Sequence, residues 1–343
     1  MKSMPSKLIS LPVVVQGRGC RLISVCVIMA FLSLWIVRVT GSVEWRPHGY
    51  LLVFVLVCLA YENAFLGRFE FVSKSGASVI FDFLCGFFLF NTLLFVLCLI
   101  SRFGMTVNFL LLILIGAGLF VGVSRNRSSA GNDERAVSEL LCLITSGAAV
   151  TIWCSDAQTF PVVKDRAAVY QVWKDTFFHF REISTFAQAQ GWATLHDNAF
   201  AQAPKGIYHY GSYISGAAIS AVGGLSAADA YLGFQLPLGI FLSGLAAFAL
   251  IYSFWGGWPA LAATMAVLLL PDGYQQGFGN RYLGFNFLSQ ISPGMPYGIA
   301  CAALTSPLAA CRRPRGLAKY LIHKEPQMRR CSEARFGETL LSC

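Results

Sequence analysis

The sequence predicts an all-α, polytopic integral membrane protein with about eight transmembrane helices (eight or nine) and one long external loop with interfacial helices. Two observations indicate this class. The 343 residues are 56% hydrophobic and only 13% charged, with a mean hydropathy of +0.60, whereas soluble domains carry about 25% charged residues. The apolar residues also form runs of about 18 residues or more, the length that crosses roughly 30 Å of hydrocarbon.

Five apolar runs in the first half of the chain are predicted spans. They cover residues 22–39, 49–66, 78–100, 107–123 and 136–153. Basic residues precede the first span and follow the second and fourth, so they lie on alternate connections. Because Lys and Arg concentrate on cytoplasmic loops, this pattern predicts a multi-pass protein of the inner (plasma) membrane with its N-terminus in the cytoplasm.

Charge distribution and cysteine pattern argue against two other classes. The net charge is +9, but eight of the 26 Lys and Arg residues lie in the last 33 residues and most others flank apolar runs. That distribution orients spans against anionic lipid, and no nucleic-acid-binding pattern accompanies it, so nucleic acid is not a predicted partner. The eleven cysteines include no CxxC pair, which argues against a metal site or a disulfide framework.

The stretch 154–207 is the only long polar segment before the C-terminal tail. Five preceding spans put it on the outer side of the membrane. It contains acidic residues, two histidines and several aromatic residues, a composition too aromatic for disorder. Loops longer than about 15 residues are usually functional or disordered, so we expect a folded external loop with interfacial helices.

Four further apolar runs decide the number of spans. They cover residues 208–227, 231–254, 256–271 and 297–310. If all four cross the membrane, the count is nine and the basic tail lies outside, against the positive-inside bias. The first of them is rich in small residues and only modestly hydrophobic. If it lies in or dips into the interface, the count is eight and the connection 272–296 faces outward beside the long loop.

These patterns divide the chain into three segments. Residues 1–135 form a four-span membrane segment, residues 136–310 a membrane core with the external loop, and residues 311–343 a basic tail. The tail is either a basic cytoplasmic extension or a truncated or non-native end. The abrupt end of the last apolar run favours the second interpretation slightly.

The strongest candidate for chemistry lies within the external loop. If the segment around it is helical, Asp175, His179 and Glu182 share one face. A carboxylate and an imidazole one turn apart can share a proton or a divalent cation. Asp175 and His179 are therefore the candidate catalytic residues, with Asp175 also a candidate cation ligand. The alternative is an amphipathic interfacial helix with a solvated polar face.

Two other polar clusters are candidates for substrate binding. Lys205, Tyr208 and Tyr210 stand where the external loop returns to the membrane. Tyrosines suit sugar faces, although the membrane–water belt is the commoner reason for them. Asn280 and Arg281 lie in the connection before the last apolar run, where they either bind a polar head group or belong to a turn-rich connector.

The region from the fifth span to about residue 254 resembles the opening of the C-type glycosyltransferases. These multi-span enzymes use polyprenyl-phosphate-linked sugars and include protein mannosyltransferases and the aminoarabinose transferases of lipid A. The stretches that match in order and rough spacing are Asp175-Thr176, Gly191-Trp192, 205–210 and 223–229. Thr176 replaces the second acidic residue of the family's pair, the Pro-Pro of its return is absent, and four extra spans precede the loop.

The resemblance implies transfer of a sugar from a polyprenyl-phosphate carrier in the lipid bilayer to an envelope acceptor on the outer face. Asp175 would deprotonate the acceptor hydroxyl or hold a divalent cation, with His179 assisting. Arg181, Lys205 or Arg281 would neutralise the departing phosphate.

Two other functions stay open at this point. A transporter or flippase subunit predicts ionisable residues inside spans, for which Glu62, Asp82 and Glu139 are the candidates. It also predicts internal inverted repeats, and none is evident. The third function is that of a non-catalytic membrane scaffold or an inactive fragment.

Overall fold

A computed structural model of the chain describes residues 18–65, 78–122, 133–155, 158, 162–164, 167–169, 176–188, 190–191, 210–269 and 294–311. It divides into two units, Met1–Leu304 and Thr305–Cys343, and the contacts discussed below all lie within the first. The described part is helical apart from one short antiparallel hairpin. The predicted helical class is therefore confirmed for these residues.

The elements follow one another along the chain in two groups. The first group is α1 Arg18–Thr40, α2 Trp45–Phe65, α3 Val79–Ile100, α4 Met105–Gly122 and α5 Asp133–Trp153. A hairpin of β1 Val162–Lys164 and β2 Ala167–Val169 separates it from the second group. That group is α6 Thr176–Gln188, a 3₁₀ turn Tyr210–Tyr213, α7 Ile214–Ala221, α8 Ala227–Ala230, a π-helical turn Tyr231–Gln235, α9 Leu236–Trp255, α10 Gly257–Leu269 and α11 Gly294–Cys311.

Each of the five predicted N-terminal spans coincides with one of the helices α1 to α5. Four helical stretches in the described part are long and apolar enough to cross a membrane: Gly19–Thr40, Val79–Ile100, Arg135–Trp153 and Ala227–Trp255. Shorter apolar helices lie at Met105–Gly118 and Gly257–Leu269. These helices agree with the predicted membrane class, while the count of eight or nine spans and the orientation stay predictions.

The outward faces of the bundle carry aliphatic side chains. Leu52 and Leu56 of α2 are 49% and 52% exposed, and Leu110 and Leu114 of α4 are 50% and 71% exposed. Contiguous exposed apolar surface of this kind is costly in water but is what contact with lipid requires.

The described part of the weak apolar run at 208–227, residues 210–227, contains no helix long enough to span a membrane. Within it, α7 has eight residues, which at 1.5 Å per residue is about 12 Å. The chain turns back at Gly224, whose φ of 81° is a backbone conformation that favours glycine. This agrees with the eight-span prediction, although α7 is buried from Ile214 to Ile219 and so lies among the helices of the bundle.

Hydrogen bonds between elements show which helix ends lie together. Trp35 Nε1 donates to Thr151 Oγ1 at 2.9 Å, and Cys20 of α1 lies against the start of α5, so α1 and α5 run parallel. We call the end of the bundle where both of them finish the loop end.

Connections from distant parts of the chain meet at the loop end. Arg46 Nε donates to Val222 O at 3.1 Å, which brings the α1–α2 connection to the turn after α7. Trp153 Nε1 donates to Leu268 O at 2.7 Å, which brings the end of α10 to the end of α5. The start of α11 lies beside the π-helical turn, so the end of α10 and the start of α11 are both at this end of the bundle.

Candidate functional site

Helix α6 turns its polar face toward the protein. Thr176, His179 and Glu182 are at most 4% exposed, whereas Phe177 on the other face is 59% exposed. His179 and Glu182 share one face, as the sequence predicts. That face is buried, so the alternative interpretation of a solvated polar face is wrong for these residues. Asp175 directly precedes α6 and lies outside the described residues.

His179 lies between two tyrosine rings. Its Nδ1 is 2.8 Å from the hydroxyl oxygen of Tyr213, and its ring stacks on the rings of Tyr213 and Tyr231 with centroid separations of 5.8 Å and 5.2 Å. All three side chains are at most 1% exposed. The hydrogen bond fixes the orientation of the imidazole. His179 thereby joins α6 to both the 3₁₀ turn and the π-helical turn.

Arg181 and Glu182 form an ion pair at the edge of α6. Arg181 Nη2 is 3.2 Å from Glu182 Oε1, and the side chains are 32% and 1% exposed. The guanidinium also lies over the ring of Phe178, 4.7 Å from its centroid. A buried carboxylate requires a partner of this kind. The predicted substrate-binding residue Arg181 therefore stabilises Glu182, while about a third of its side chain stays accessible to solvent.

Of the other predicted substrate-binding residues, Tyr210 alone is described. It opens the 3₁₀ turn, and its ring lies 6.0 Å from that of Phe186 on α6. It therefore helps to pack α6 on the turn. Four predicted residues lie outside the described part of the chain: Lys205, Tyr208, Asn280 and Arg281.

A cavity of about 260 Å³ opens on the other side of the 3₁₀ turn, between α3 and the start of α11. It is lined by three aromatic rings, three polar side chains and three glycines: Phe88, Phe95, Tyr297, Asn91, Thr92, Ser212, Gly211, Gly294 and Gly298. Asn91 Nδ2 donates to Gly211 O at 2.8 Å. Since Gly211 and Ser212 line the cavity and Tyr213 contacts His179, a single turn connects the two sites.

Behind the Tyr297 wall of the cavity lies a group of buried polar side chains. Tyr297 Oη donates to the backbone oxygen of Gln235 at 2.7 Å, and the Ser215 hydroxyl lies beside that of Tyr297. The Gln235 side chain is 0% exposed, and neither of its amide atoms has a hydrogen-bond partner among the described residues. Leaving such a group without a partner costs about 1–3 kcal/mol.

The π-helical turn that carries Gln235 has a local cause. Leu236 N–H donates to Tyr231 O, five residues earlier, and Pro237 follows directly. Proline has no N–H, and its ring would collide with the carbonyl four residues earlier in a regular α-helix. The widened turn relieves that collision. Such turns often occur at functional sites, and here the turn contributes both Tyr231 and Gln235.

Replacing Gln235 with methionine is expected to raise the free energy of unfolding by about 1 kcal/mol, because an apolar side chain of similar size removes the buried amide. The shift in thermal unfolding temperature of the purified protein measures this. The exposed Gln190, changed to methionine in the same way, should leave stability unchanged. A clear loss of stability in the Gln235 variant would show that the amide is satisfied in the folded protein.

Several residues of the site were not singled out from the sequence. Tyr213 stands in the tyrosine-rich return of the loop and could have been included on that ground. Asn91 is a polar residue inside an apolar run, which is itself a signal of function. Pro237 in the middle of an apolar run signals a helix irregularity. No local pattern marks Tyr297, because its contacts come from a distant part of the chain.

Comparison with known protein families, with curated proteins and with solved structures gives no match. The chemistry of the site therefore has to be argued from its own residues. These comprise a packed helix that begins one residue after a carboxylate, an ion pair whose guanidinium is partly exposed, and an uncharged cavity. All of them lie toward the loop end of the bundle.

Proposed function

We propose that this protein is a membrane glycosyltransferase that transfers a sugar from a polyprenyl-phosphate carrier to an envelope acceptor on the outer face of the plasma membrane. The loop motifs that resemble such enzymes suggest the reaction. The observation that carries the proposal is the docking of α6 by its buried polar face. Burying those groups costs free energy unless they are paired, and their pairing holds in place the helix at whose start Asp175 stands.

The proposed reaction is a displacement at the anomeric carbon of the sugar. Asp175 accepts the proton of the acceptor hydroxyl as the acceptor oxygen bonds to that carbon, and the bond from the carbon to the phosphate oxygen breaks. The phosphate leaves on its polyprenyl chain, and the cations Arg181, Lys205 or Arg281 stabilise its charge. A positioned base of this kind accelerates a reaction by about 10²–10⁴-fold.

His179 is assigned a positioning role in this scheme. It is 1% exposed and hydrogen bonded to Tyr213, so it holds the helix at whose start Asp175 stands. Asp175 is also a carboxylate of the type that binds a divalent cation. Among the described residues, no three His, Cys, Asp or Glu side chains converge to hold a metal ion.

The assay for this function is consumption of the lipid-linked donor. Membranes that contain the chain are incubated with a panel of radiolabelled polyprenyl-phosphate sugars and an envelope fraction as acceptor. We expect label to pass to the acceptor fraction and free polyprenyl phosphate to appear. Equal turnover by membranes that lack the chain, for every donor tested, would contradict the proposal.

A transporter subunit is the alternative function, and three buried carboxylates at the end opposite the loop end favour it. Glu62, Asp82 and Glu139 are at most 5% exposed. Arg21 and Asp82 form an ion pair at 2.8 Å, and Arg135 and Glu139 form one at 2.9 Å. The first pair joins α1 to α3. The second lies within α5, and Glu139 also accepts a hydrogen bond from the backbone N–H of Val79 at the start of α3, so these carboxylates help to hold the helices together without any transported ion. Solute flux that depends on Glu62 would favour the transporter.

A further inference from the structure

We propose that the cavity beside the 3₁₀ turn binds one neutral sugar ring, within the depth of the membrane. This inference rests on the proposed function, because it names the class of sugar that the enzyme would take. Sugar binding at the cavity can be tested without measuring sugar transfer.

The position of the cavity suits a sugar attached to a lipid. Asn91 lies nine residues before Ile100, the end of α3, which corresponds to about 14 Å along the helix. Thr92 and Gly298 are exposed at the mouth of the cavity. The mouth therefore opens sideways between α3 and α11, where the head of a lipid can enter while its chain stays in the bilayer.

The lining of the cavity offers hydrogen bonds for hydroxyl groups. The Asn91 amide nitrogen bonds to Gly211 O, while its carboxamide oxygen has no hydrogen bond to a described residue and is an acceptor for a sugar hydroxyl. Thr92 contributes a hydroxyl that both donates and accepts. Phe88 and Tyr297 supply apolar ring faces against which the C–H faces of a sugar can pack.

The absence of charge in the lining determines the class of sugar. None of the nine described lining residues is charged, so a sugar with a carboxylate or an ammonium group would lose its hydration without gaining a counter-charge. The size of the cavity also limits the size of the ligand. Its volume of about 260 Å³ is below the 300–1,000 Å³ typical of pockets for drug-sized ligands and fits a single ring.

The test measures binding to the full chain in nanodiscs. The probe is tritiated octyl β-glucoside below its critical micelle concentration, and the competitors are octyl β-glucuronide, which is anionic, and 1-octanol, which has only the chain. We expect saturable binding, competition by the glucuronide that is at least about tenfold weaker than by unlabelled glucoside, and little competition by octanol. If the glucuronide competed as well as the unlabelled glucoside, the cavity would not select neutral sugars and the proposal would be overturned. If octanol competed as well as the glucoside, the cavity would bind an alkyl chain and not a sugar, which would also overturn the proposal.

Two glycines provide the variant and its control. Gly298 lines the cavity at its exposed mouth, and a Cβ atom added there meets no atom within 4 Å. We therefore expect Gly298→Leu to narrow the mouth without displacing the fold and to weaken binding at least about tenfold. Gly118 on α4 has equally open surroundings, and Gly118→Leu should bind as the unaltered chain does. Undiminished binding by Gly298→Leu would contradict the assignment.

The two proposals fail in different ways. If the glucoside binds as expected but no donor is consumed, the proposed function is wrong and the sugar site stands. If Gly298→Leu transfers neutral sugars at the full rate, the proposed function stands and the cavity is not the sugar site.

Discussion

Asp175→Asn is expected to abolish sugar transfer without altering expression or membrane insertion. A carboxamide cannot take the proton of the acceptor hydroxyl, and a positioned base contributes about 10²–10⁴-fold to the rate. The donor-consumption assay should therefore show a fall of at least about 100-fold. The fold should persist because α6 is held by His179 and the other buried residues of its inner face, and the change keeps the size of the side chain.

The matched control is Asp165→Asn, which removes another carboxylate of the same predicted external loop. We expect that variant to transfer at the rate of the unaltered chain. If Asp175→Asn kept full activity, Asp175 would not be the base. If both variants lost activity equally, the loss would reflect the charge of the loop as a whole.

Gly86→Leu is expected to prevent formation of the folded protein. Gly86 lies on α3, where that helix packs closely against α2. A Cβ atom added at Gly86 would overlap the backbone carbonyl of Cys58 on α2. Backbone cannot move aside as a flexible side chain can, and small residues at such positions allow membrane helices to approach closely. We expect a loss of more than about 3 kcal/mol, seen as aggregation on size-exclusion chromatography in detergent.

Gly118→Leu is the control for this prediction as well, since it adds the same side chain to a membrane helix where nothing lies within 4 Å. That variant should elute as a single symmetrical peak on size-exclusion chromatography, and it should unfold at the temperature of the unaltered chain. A Gly86→Leu protein of normal yield and thermal stability would contradict the close packing of α2 on α3.

The helices of the first half could be predicted well from the sequence. In lipid every backbone polar group must be paired within the chain, so a long apolar run has little alternative to a helix. The run at 208–227 was set aside as a span because of its small residues and low hydrophobicity, and its described part contains no helix longer than the eight residues of α7. Its burial among other helices could not be predicted, because burial depends on neighbours from distant parts of the chain.

The site was predicted less completely. The period of a helix correctly put His179 and Glu182 on one face, because that relation is local. It could not show which way the face points, since the partners Tyr213 and Tyr231 are brought in by the fold. Gln235 was missed for the same reason.

The orientation of the loop end decides whether the proposed site faces outward. Single cysteines are introduced at Val43 and Gln190, exposed at the loop end, and at Ser253, exposed near the opposite end of α9. Intact cells are then treated with a membrane-impermeant maleimide, with the unaltered chain as background. If the loop end faces outward, V43C and Q190C are labelled on intact cells and S253C only after permeabilisation. Labelling of S253C on intact cells while V43C and Q190C stay protected would place the loop end in the cytoplasm and rule out transfer on the outer face.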